Sequence, residues 1–141
     1  MGTIERAVAI AAEAHTGQTD KAGSVYLLHP LRLMLRAESD EDRIVAVLHD
    51  VVEDSDWTLA ALATEGFSEE ILAAIDSVTR RDDETYDEFV RRAGENPIGR
   101  RVKLLDLEDN CDLGRIPNPT EKDHTRVAKY RRAISLLQDP T

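Results

Sequence analysis

Sulfur, aromatic rings and long apolar runs are all scarce in this sequence. Cys111 is the only cysteine among 141 residues, so an internal disulfide is excluded and nothing indicates an oxidising compartment. Aromatic residues make up only 4% of the chain, which leaves a core of Ala, Val, Leu and Ile that suits packed helices. No apolar run approaches the roughly 18 residues that cross a bilayer, and the N-terminus lacks a basic-then-apolar signal pattern. We therefore expect a soluble, cytoplasmic protein.

Positive charge is also in short supply. The chain has 18 Lys and Arg against 28 Asp and Glu, a formal net charge of −10. This balance disfavours nonspecific binding to nucleic acid or to an anionic membrane, because both carry charge of the same sign. A phosphorylated small molecule is still compatible with it where a metal ion and a few arginines reverse the field locally. On charge alone, solubility is the better explanation of the acid excess.

Helical periodicity, by contrast, runs through the whole sequence. Thr3, Thr58 and Ser68 stand where N-caps are needed, and "TYDE" at 85–88 is a capping box. The expected helices cover about 4–15, 27–38, 40–54, 59–65, 69–81, 86–95, 98–110 and 122–137. No alternating run is long enough for a strand, and there is no repeat or linker. The sequence predicts one all-α domain over residues 1–141, a bundle of about six to eight helices.

One expected helix carries more ionisable groups than its apolar face should tolerate. In "AVLHDVVEDS" (46–55), His49, Asp50, Glu53 and Asp54 lie within two turns. Such groups are costly to desolvate unless something compensates them, and a metal ion is one such compensation. A His-Asp dipeptide by itself is a weak signal, because it occurs by chance in many proteins.

Two further residues strengthen the metal hypothesis. His29 starts a helix and has its backbone orientation fixed by Pro30. Asp106 lies among leucines in an amphipathic helix, and a buried aspartate needs a partner. Together with His49 and Asp50 they offer two imidazoles and two carboxylates. This mixed set suits Mn²⁺, Fe²⁺ or Zn²⁺ used in hydrolysis, whereas structural zinc prefers thiolate-rich shells.

Four segments in this order resemble the HD-domain metal-dependent phosphohydrolases. More narrowly, they resemble the hydrolase domain of the RelA/SpoT family and the small alarmone hydrolases. The segments are "AHTGQTDKAGSVYLLHP" (14–30), "LHDVVEDS" (48–55), "VKLLDLEDN" (102–110) and "HTRVAKYRRA" (124–133). They extend over residues 14–133, nearly the whole chain, and the resemblance implies a helical HD-domain bundle.

The resemblance also implies roles for individual residues. The metal, usually Mn²⁺ in the family, would be held by His29, His49, Asp50 and Asp106. Glu53 and Asp54 match a Glu-Asp pair that positions and activates the attacking water. The implied substrate contacts are Lys21, Asn110, Arg126 and Tyr130. The bond cleaved in the family is that of the 3′-pyrophosphate of (p)ppGpp.

The chain departs from the family pattern on the side that recognises the base. Asp20 replaces an arginine that would face guanine, Val25 replaces a proline, and Leu107 replaces a basic residue. Asp109 replaces a histidine and is expected to add negative charge on the substrate side. A carboxylate does not stack on a base as a guanidinium does, so we expect a weaker guanine preference than in a typical alarmone hydrolase.

The leading hypothesis is thus a metal-dependent phosphohydrolase whose partner is a small-molecule nucleotide, best (p)ppGpp. Lys21, Arg126 and Lys103 would offset charge on the phosphates. An adenosine alarmone or NADPH is the nearest alternative substrate, and a non-catalytic module that senses a nucleotide is the rival from another class. A purely structural helical domain leaves the buried polar residues unexplained. The oligomeric state stays open, a homodimer included.

Overall fold

The periodic segments form helices at almost every expected place. A computed structural model describes residues 2–138. The helices are α1 (Ile4–Ala14), α2 (Leu28–Arg36), α3 (Asp40–Leu48), α4 (Val51–Asp54), α5 (Leu59–Thr64), α6 (Glu69–Ser77), α7 (Tyr86–Glu95), α8 (Pro97–Asn110) and α9 (Glu121–Gln138), with a 3-10 turn at Leu113–Arg115. Within residues 2–138 there is no strand, only an isolated bridge between Thr19 and Val25. The all-α prediction is confirmed, and α3 and α4 are two parts of one interrupted helix.

Local sequence sets most of the helix starts. The side chains of Thr3 and Ser68 accept hydrogen bonds from first-turn N–H groups of α1 and α6. Thr85 and Glu88 form the predicted capping box at the start of α7. Pro97 occupies the first turn of α8, where a missing N–H costs nothing. These caps need no tertiary contact, which is why the starts could be read from the sequence.

The helix expected over 40–54 is broken where the site residues lie. His49 and Asp50 form a turn between α3 and α4. The reason is competition for the carbonyl of Ala46, which in an unbroken helix would accept from the Asp50 N–H. The His49 ring takes this carbonyl instead, with Nδ1 2.7 Å from Ala46 O. The expectation of one continuous helix was therefore wrong at this point.

The helix expected over 69–81 also ends early, at Ser77. Arg92 of α7 donates to the carbonyls of Asp76 at 2.8 Å and Thr79 at 2.7 Å. Its guanidinium also pairs with Glu84 at 2.7 Å. These bonds satisfy carbonyls that the next helical turn would have used, so the chain leaves α6 and becomes a loop.

Helix α3 lies at the centre of the main core. Residues 44–48 are buried, and α3 packs against α1, α2, α6 and α8. A second apolar cluster joins α7, α8 and α9 through Val90, Leu107, Ala133 and Leu137. Because α8 takes part in both clusters, one of its faces is fixed against α2 and α3. Asp106 lies on this face. No helix in the described part of the chain is both long and apolar enough to cross a membrane.

Candidate metal centre and substrate pocket

Four side chains from three parts of the chain converge beside α3. His29 comes from the first turn of α2, His49 and Asp50 from the break after α3, and Asp106 from α8. One ligand atom each from His29, His49 and Asp50 lie within 4.8 Å of one another. Asp106 Oδ1 lies 2.9 Å from His29 Nε2 and 3.5 Å from His49 Nε2. The four residues expected to act together are thus brought to one place.

The geometry of His49 fits a ligand rather than a satisfied core histidine. Its Nδ1 faces the carbonyl of Ala46, so the neutral ring carries its proton there and leaves a lone pair on Nε2. His49 Nε2 is buried and has no hydrogen-bond partner, although Asp50 Oδ2 lies 3.1 Å away in poor hydrogen-bond geometry. A buried lone pair flanked by carboxylates is a donor set that a divalent cation completes.

The charged groups of the cluster compensate one another. Burial favours neutral His49, but Asp50 and Asp106 outweigh burial and raise the pKa of His49 well above its ordinary value. Burial also disfavours charged Asp106, yet Lys103 and His29 hold the pKa of Asp106 well below its usual range. Protonated imidazoles and ionised carboxylates would thus stabilise one another in this cluster. A metal would take the place of the imidazole protons.

Further groups hold the two carboxylates in place. The Tyr26 hydroxyl donates to Asp50 Oδ2. Lys103 Nζ donates to Asp106 Oδ2 at 3.0 Å, and Asn110 Nδ2 donates to Asp106 Oδ1 at 3.1 Å. Lys103 is 8% exposed and lies against the Phe89 ring, 4.7 Å from its centroid. Lys103 thus pairs with Asp106, whereas the sequence analysis expected its charge to offset that of the substrate phosphates.

The expectation that Asp109 adds negative charge on the substrate side was wrong. Asp109 is 6% exposed, and its Oδ2 lies 2.6 Å from His29 Nδ1, on the side of the ring away from the converging ligands. Arg32 donates two hydrogen bonds of 2.9 Å to the same carboxylate, and Arg115 Nη2 lies 3.5 Å from it. Burial opposes its charge, but His29 and Arg32 keep the pKa of Asp109 far below its usual value. Asp109 therefore supports His29 and adds no free negative charge for the substrate.

Glu53 and Asp54 lie on α4 at the solvent side of the converging ligands. Glu53 Oε1 accepts a hydrogen bond of 2.9 Å from the backbone N–H of Arg80, which fixes one oxygen and leaves the other open. Partial burial, together with the charges of Asp50 and Glu53, raises the pKa of Asp54 to about 6. A carboxyl with that pKa accepts and returns a proton near neutral pH, as a general base requires.

Two pockets open on either side of the converging ligands. The first, of about 310 Å³, is lined by all four residues expected to contact the substrate, Lys21, Asn110, Arg126 and Tyr130. The second, of about 230 Å³, is lined by Asp50, Glu53 and Asp106 and by three cationic side chains, Arg80, Lys103 and Lys129. Tyr26, His29, Asn110 and Tyr130 line both pockets. A molecule filling both would pass directly over the candidate metal centre.

Asp20 lies in the first pocket and has a structural task there. Its Oδ1 accepts from the backbone N–H groups of Ala22 and Ser24, each at 2.9 Å, and so closes the loop before α2. This loop also carries Lys21 into the pocket. The predicted weakening of guanine preference stays a prediction, since a bound base is needed to test it.

Comparison with known proteins shows which proteins this chain resembles. No protein-family model matches the chain. It is 35% identical over 121 residues to the guanosine-3′,5′-bis(diphosphate) 3′-pyrophosphohydrolase of Aquifex aeolicus, a match that covers 77% of this chain and 17% of that protein. It is 36% identical over 150 aligned residues to the probable GTP pyrophosphokinase of Mycobacterium leprae, covering 97% of this chain and 19% of that protein. The chain thus spans less than a fifth of the length of these relatives.

A solved structure has the same fold. It is described as a metazoan ortholog of SpoT that hydrolyzes ppGpp, and it superposes with a TM-score of 0.72 at 20% identity, covering 95% of this chain and 84% of the other. The chain is thus similar over most of its length to proteins of the RelA/SpoT family, and it has the fold of this SpoT ortholog. It matches only a small segment of its long relatives, whereas it covers most of the SpoT ortholog.

Most of the groups that hold these ligands in place were missed by the reasoning from sequence. The signal was present in the spacing: Tyr26 precedes His29 by three residues, Arg32 follows it by three, and Asp109 follows Asp106 by three. Residues three apart on a helix share a face, which applies to His29 with Arg32 on α2 and to Asp106 with Asp109 on α8, whereas Tyr26 lies in the turn before α2. Because α2 packs against α8, these two faces meet. The role of each ligand and of each substrate contact remains a prediction, although their placement agrees with it.

Proposed function

We propose that this domain is a metal-dependent phosphohydrolase that removes the 3′-diphosphate of guanosine 3′,5′-bis(diphosphate). The observation that carries the proposal is the convergence of His29, His49, Asp50 and Asp106 between two pockets lined by cationic side chains. The names of relatives, among them pyrophosphohydrolases of Aquifex aeolicus and Vibrio cholerae, support this choice of substrate.

In this proposal the four converging residues hold a divalent cation, with Mn²⁺ the first choice and Fe²⁺ or Zn²⁺ as alternatives. When bound, such an ion lowers the pKa of water and polarises a phosphoryl oxygen. The buried lone pair on His49 Nε2 and the two carboxylates supply the mixed nitrogen and oxygen donors that these ions accept.

The other residues orient the substrate and move the proton. Lys21, Asn110, Arg126 and Tyr130 line the first pocket, where the nucleoside and its 5′-phosphates would bind. Asp54, whose pKa is raised to about 6, takes the proton of the attacking water. Glu53 orients that water through its open oxygen, because its other oxygen is held by the Arg80 N–H.

The proposal is tested by measuring diphosphate release from a panel of nucleotides, with Mn²⁺ and with chelator. We expect Mn²⁺-dependent release from ppGpp by the wild type and none with chelator. Asp106→Ala should lose Mn²⁺ binding and hydrolysis together. The matched control is Glu108→Ala, since Glu108 is an exposed acid on the same helix that lines neither pocket and lies outside the converging set.

The panel also separates the alternatives. Release from NADPH or from the adenosine analogue, with none from ppGpp, would replace the proposed substrate by another nucleotide. If the domain binds ppGpp but turns over no nucleotide with Mn²⁺, Fe²⁺ or Zn²⁺, it is a nucleotide-sensing module and not an enzyme. The ratio of kcat/KM for ppGpp and its adenine counterpart measures the base preference; a ratio of about 100 or more, roughly 2.7 kcal/mol, would contradict the expected weak guanine preference.

A further inference from the structure

We propose that Arg80, Tyr86 and Lys129 form a binding site for a phosphate or diphosphate group in the second pocket, on the α7 side of the candidate metal centre. The role of this site in the reaction rests on the proposed function. The nucleoside would fill the first pocket, and the diphosphate that is removed would lie in this one. The anion site itself stands on contacts that are independent of catalysis.

Two cations meet at one aromatic ring. Arg80 Cζ lies 5.8 Å from the Tyr86 ring centroid, and Lys129 Nζ lies 4.0 Å from it. Neither side chain has a hydrogen bond or an ion pair to another side chain within residues 2–138. The neighbouring Arg81, by contrast, pairs with Asp76 at 3.2 Å. In a chain with 28 acidic and 18 basic residues, two adjacent cations without a carboxylate partner need a different explanation.

The electrostatics of the pocket also favour binding of an anion. Partial burial, reinforced by the positive charges of Arg80 and Lys103, lowers the pKa of Lys129. Like charges gathered on one wall destabilise each other, and a bound anion removes that cost. The Tyr86 hydroxyl is a further indication of an anion site, because its oxygen is buried and has no hydrogen-bond partner in the described structure.

The carboxylates that share this pocket do not cancel its positive wall. Asp106 accepts from Lys103, and Asp50 accepts from Tyr26. Glu53 accepts from the Arg80 backbone N–H, which leaves the Arg80 guanidinium uncommitted. The acidic side of the pocket is thus engaged by Lys103, Tyr26, His49 and the Arg80 backbone N–H. A diphosphate would bridge from that side to Arg80 and Lys129 on the other.

Inorganic pyrophosphate is the probe, titrated calorimetrically into the full chain with excess EDTA so that no metal contributes. We expect the wild type to bind it, Arg80→Gln and Lys129→Gln each to weaken binding about tenfold, and the double variant to show no measurable binding. Arg81→Gln and Lys122→Gln remove exposed cations of the same loop and the same helix outside this pocket. Both controls should bind as the wild type does.

The inference is overturned if the wild type binds no pyrophosphate up to about 10 mM, or if the double variant binds it as tightly as the wild type. A wild type that hydrolyses no nucleotide but shows the expected binding pattern would remove the proposed function and keep the anion site. If the double variant hydrolyses ppGpp with unchanged KM and binds pyrophosphate normally, the function stands and the anion site is rejected.

Discussion

The two ring nitrogens of His29 have different partners, and the difference decides which one is open to a metal. Nδ1 lies 2.6 Å from Asp109 Oδ2, while Nε2 faces Asp106 Oδ1 at 2.9 Å. When the ring is neutral, Asp109 keeps the proton on Nδ1 and leaves the Nε2 lone pair directed at the centre. A carboxylate behind a histidine ligand fixes the ring and raises its basicity. Arg32 compensates the cost of burying the charged Asp109 by donating two hydrogen bonds to its carboxylate.

The first prediction concerns this support. Asp109→Asn keeps an acceptor for Arg32 but removes the charge behind His29, so Mn²⁺ affinity should fall about 10- to 100-fold. Titration followed by the electron paramagnetic resonance of free Mn²⁺ measures the change. Glu108→Gln is the matched control, because Glu108 pairs with Arg36 on the surface. Equal Mn²⁺ affinity in Asp109→Asn and wild type would show that the support is unnecessary.

A second prediction concerns the proton-transfer pair. Glu53→Gln and Asp54→Asn should each lower kcat by about 100-fold or more and leave Mn²⁺ affinity nearly unchanged, because neither carboxylate belongs to the converging set. Rates are measured at saturating Mn²⁺, with metal content determined on the same samples. A variant that loses metal but retains its activity per bound metal would assign the pair to ligation instead.

At the scale of single residues, the sequence predicts the converging ligands better than their supports. His29, His49, Asp50 and Asp106 stand in motifs whose order and spacing are specific. Asp109 was misplaced, because its direction depends on how α2 and α8 pack, and one-dimensional spacing does not give that. The i,i+3 relation between Asp106 and Asp109 nevertheless placed both on one face of α8.

Among the helices, the ends that rest on local caps were predictable and the ends that rest on tertiary bonds were not. Thr3, Ser68 and Thr85 cap their own helices. The early end of α6 depends on Arg92, which lies 15 residues beyond Ser77. The break before α4 depends on a side-chain ring competing for a backbone carbonyl. Periodicity carries no information about either competitor.

Close packing of α6 against α8 gives a third prediction. A Cβ on Gly99 would overlap the Ser77 hydroxyl, and Ala93 O would lie 3.2 Å from it. Gly99→Ala should therefore destabilise the protein by about 1–3 kcal/mol, although alanine is the better helix former. Urea unfolding measures the shift in midpoint, with an unchanged m-value as the sign that only stability has altered.

Two further variants make that prediction specific. Ser77→Ala combined with Gly99→Ala removes the overlapping oxygen and should recover most of the loss. Gly94→Ala on α7 is the matched control: its Cβ would meet only the flexible end of Leu137, at 3.0 Å, so we expect it to be neutral or stabilising. If the single Gly99 variant is as stable as the wild type, the two helices have room to separate.

For the whole molecule, the net charge of −10 hides a strongly uneven distribution. The cations that face the two pockets, among them Lys21, Arg80, Lys129 and Arg126, lie around a centre that would itself be positive with a divalent ion bound. The remaining acidic surface repels polyanions in general, so a small phosphorylated ligand is attracted only where these cations gather. The stability of the molecule should depend on both metal binding and pH, because both change the charge at this centre.

The last prediction follows from the sign of the histidine shifts. Burial opposes charge on His29 and His49, but their carboxylate partners outweigh it and raise both pKa values. With chelator present, this contribution to stability is complete below pH 6.5 and is lost as pH rises through the raised values. Asp54, whose pKa is raised to about 6, contributes a destabilisation that grows as pH rises from about 4 to 6 and is constant above that range, so it does not alter the trend at higher pH.

Mn²⁺ reverses the trend, because it needs neutral imidazoles and competes with their protons. We expect the rise in Tm caused by saturating Mn²⁺ to be larger at pH 8 than at pH 6, with apparent affinity gaining up to about tenfold per pH unit for each proton displaced. Thermal unfolding at matched ionic strength, with Mn²⁺ and with EDTA, measures both curves. His124→Gln, an exposed histidine on α9, should leave them unchanged. If the Mn²⁺-induced rise in Tm is equal at both pH values, His29 and His49 do not exchange protons for metal, and the ligand assignment is wrong.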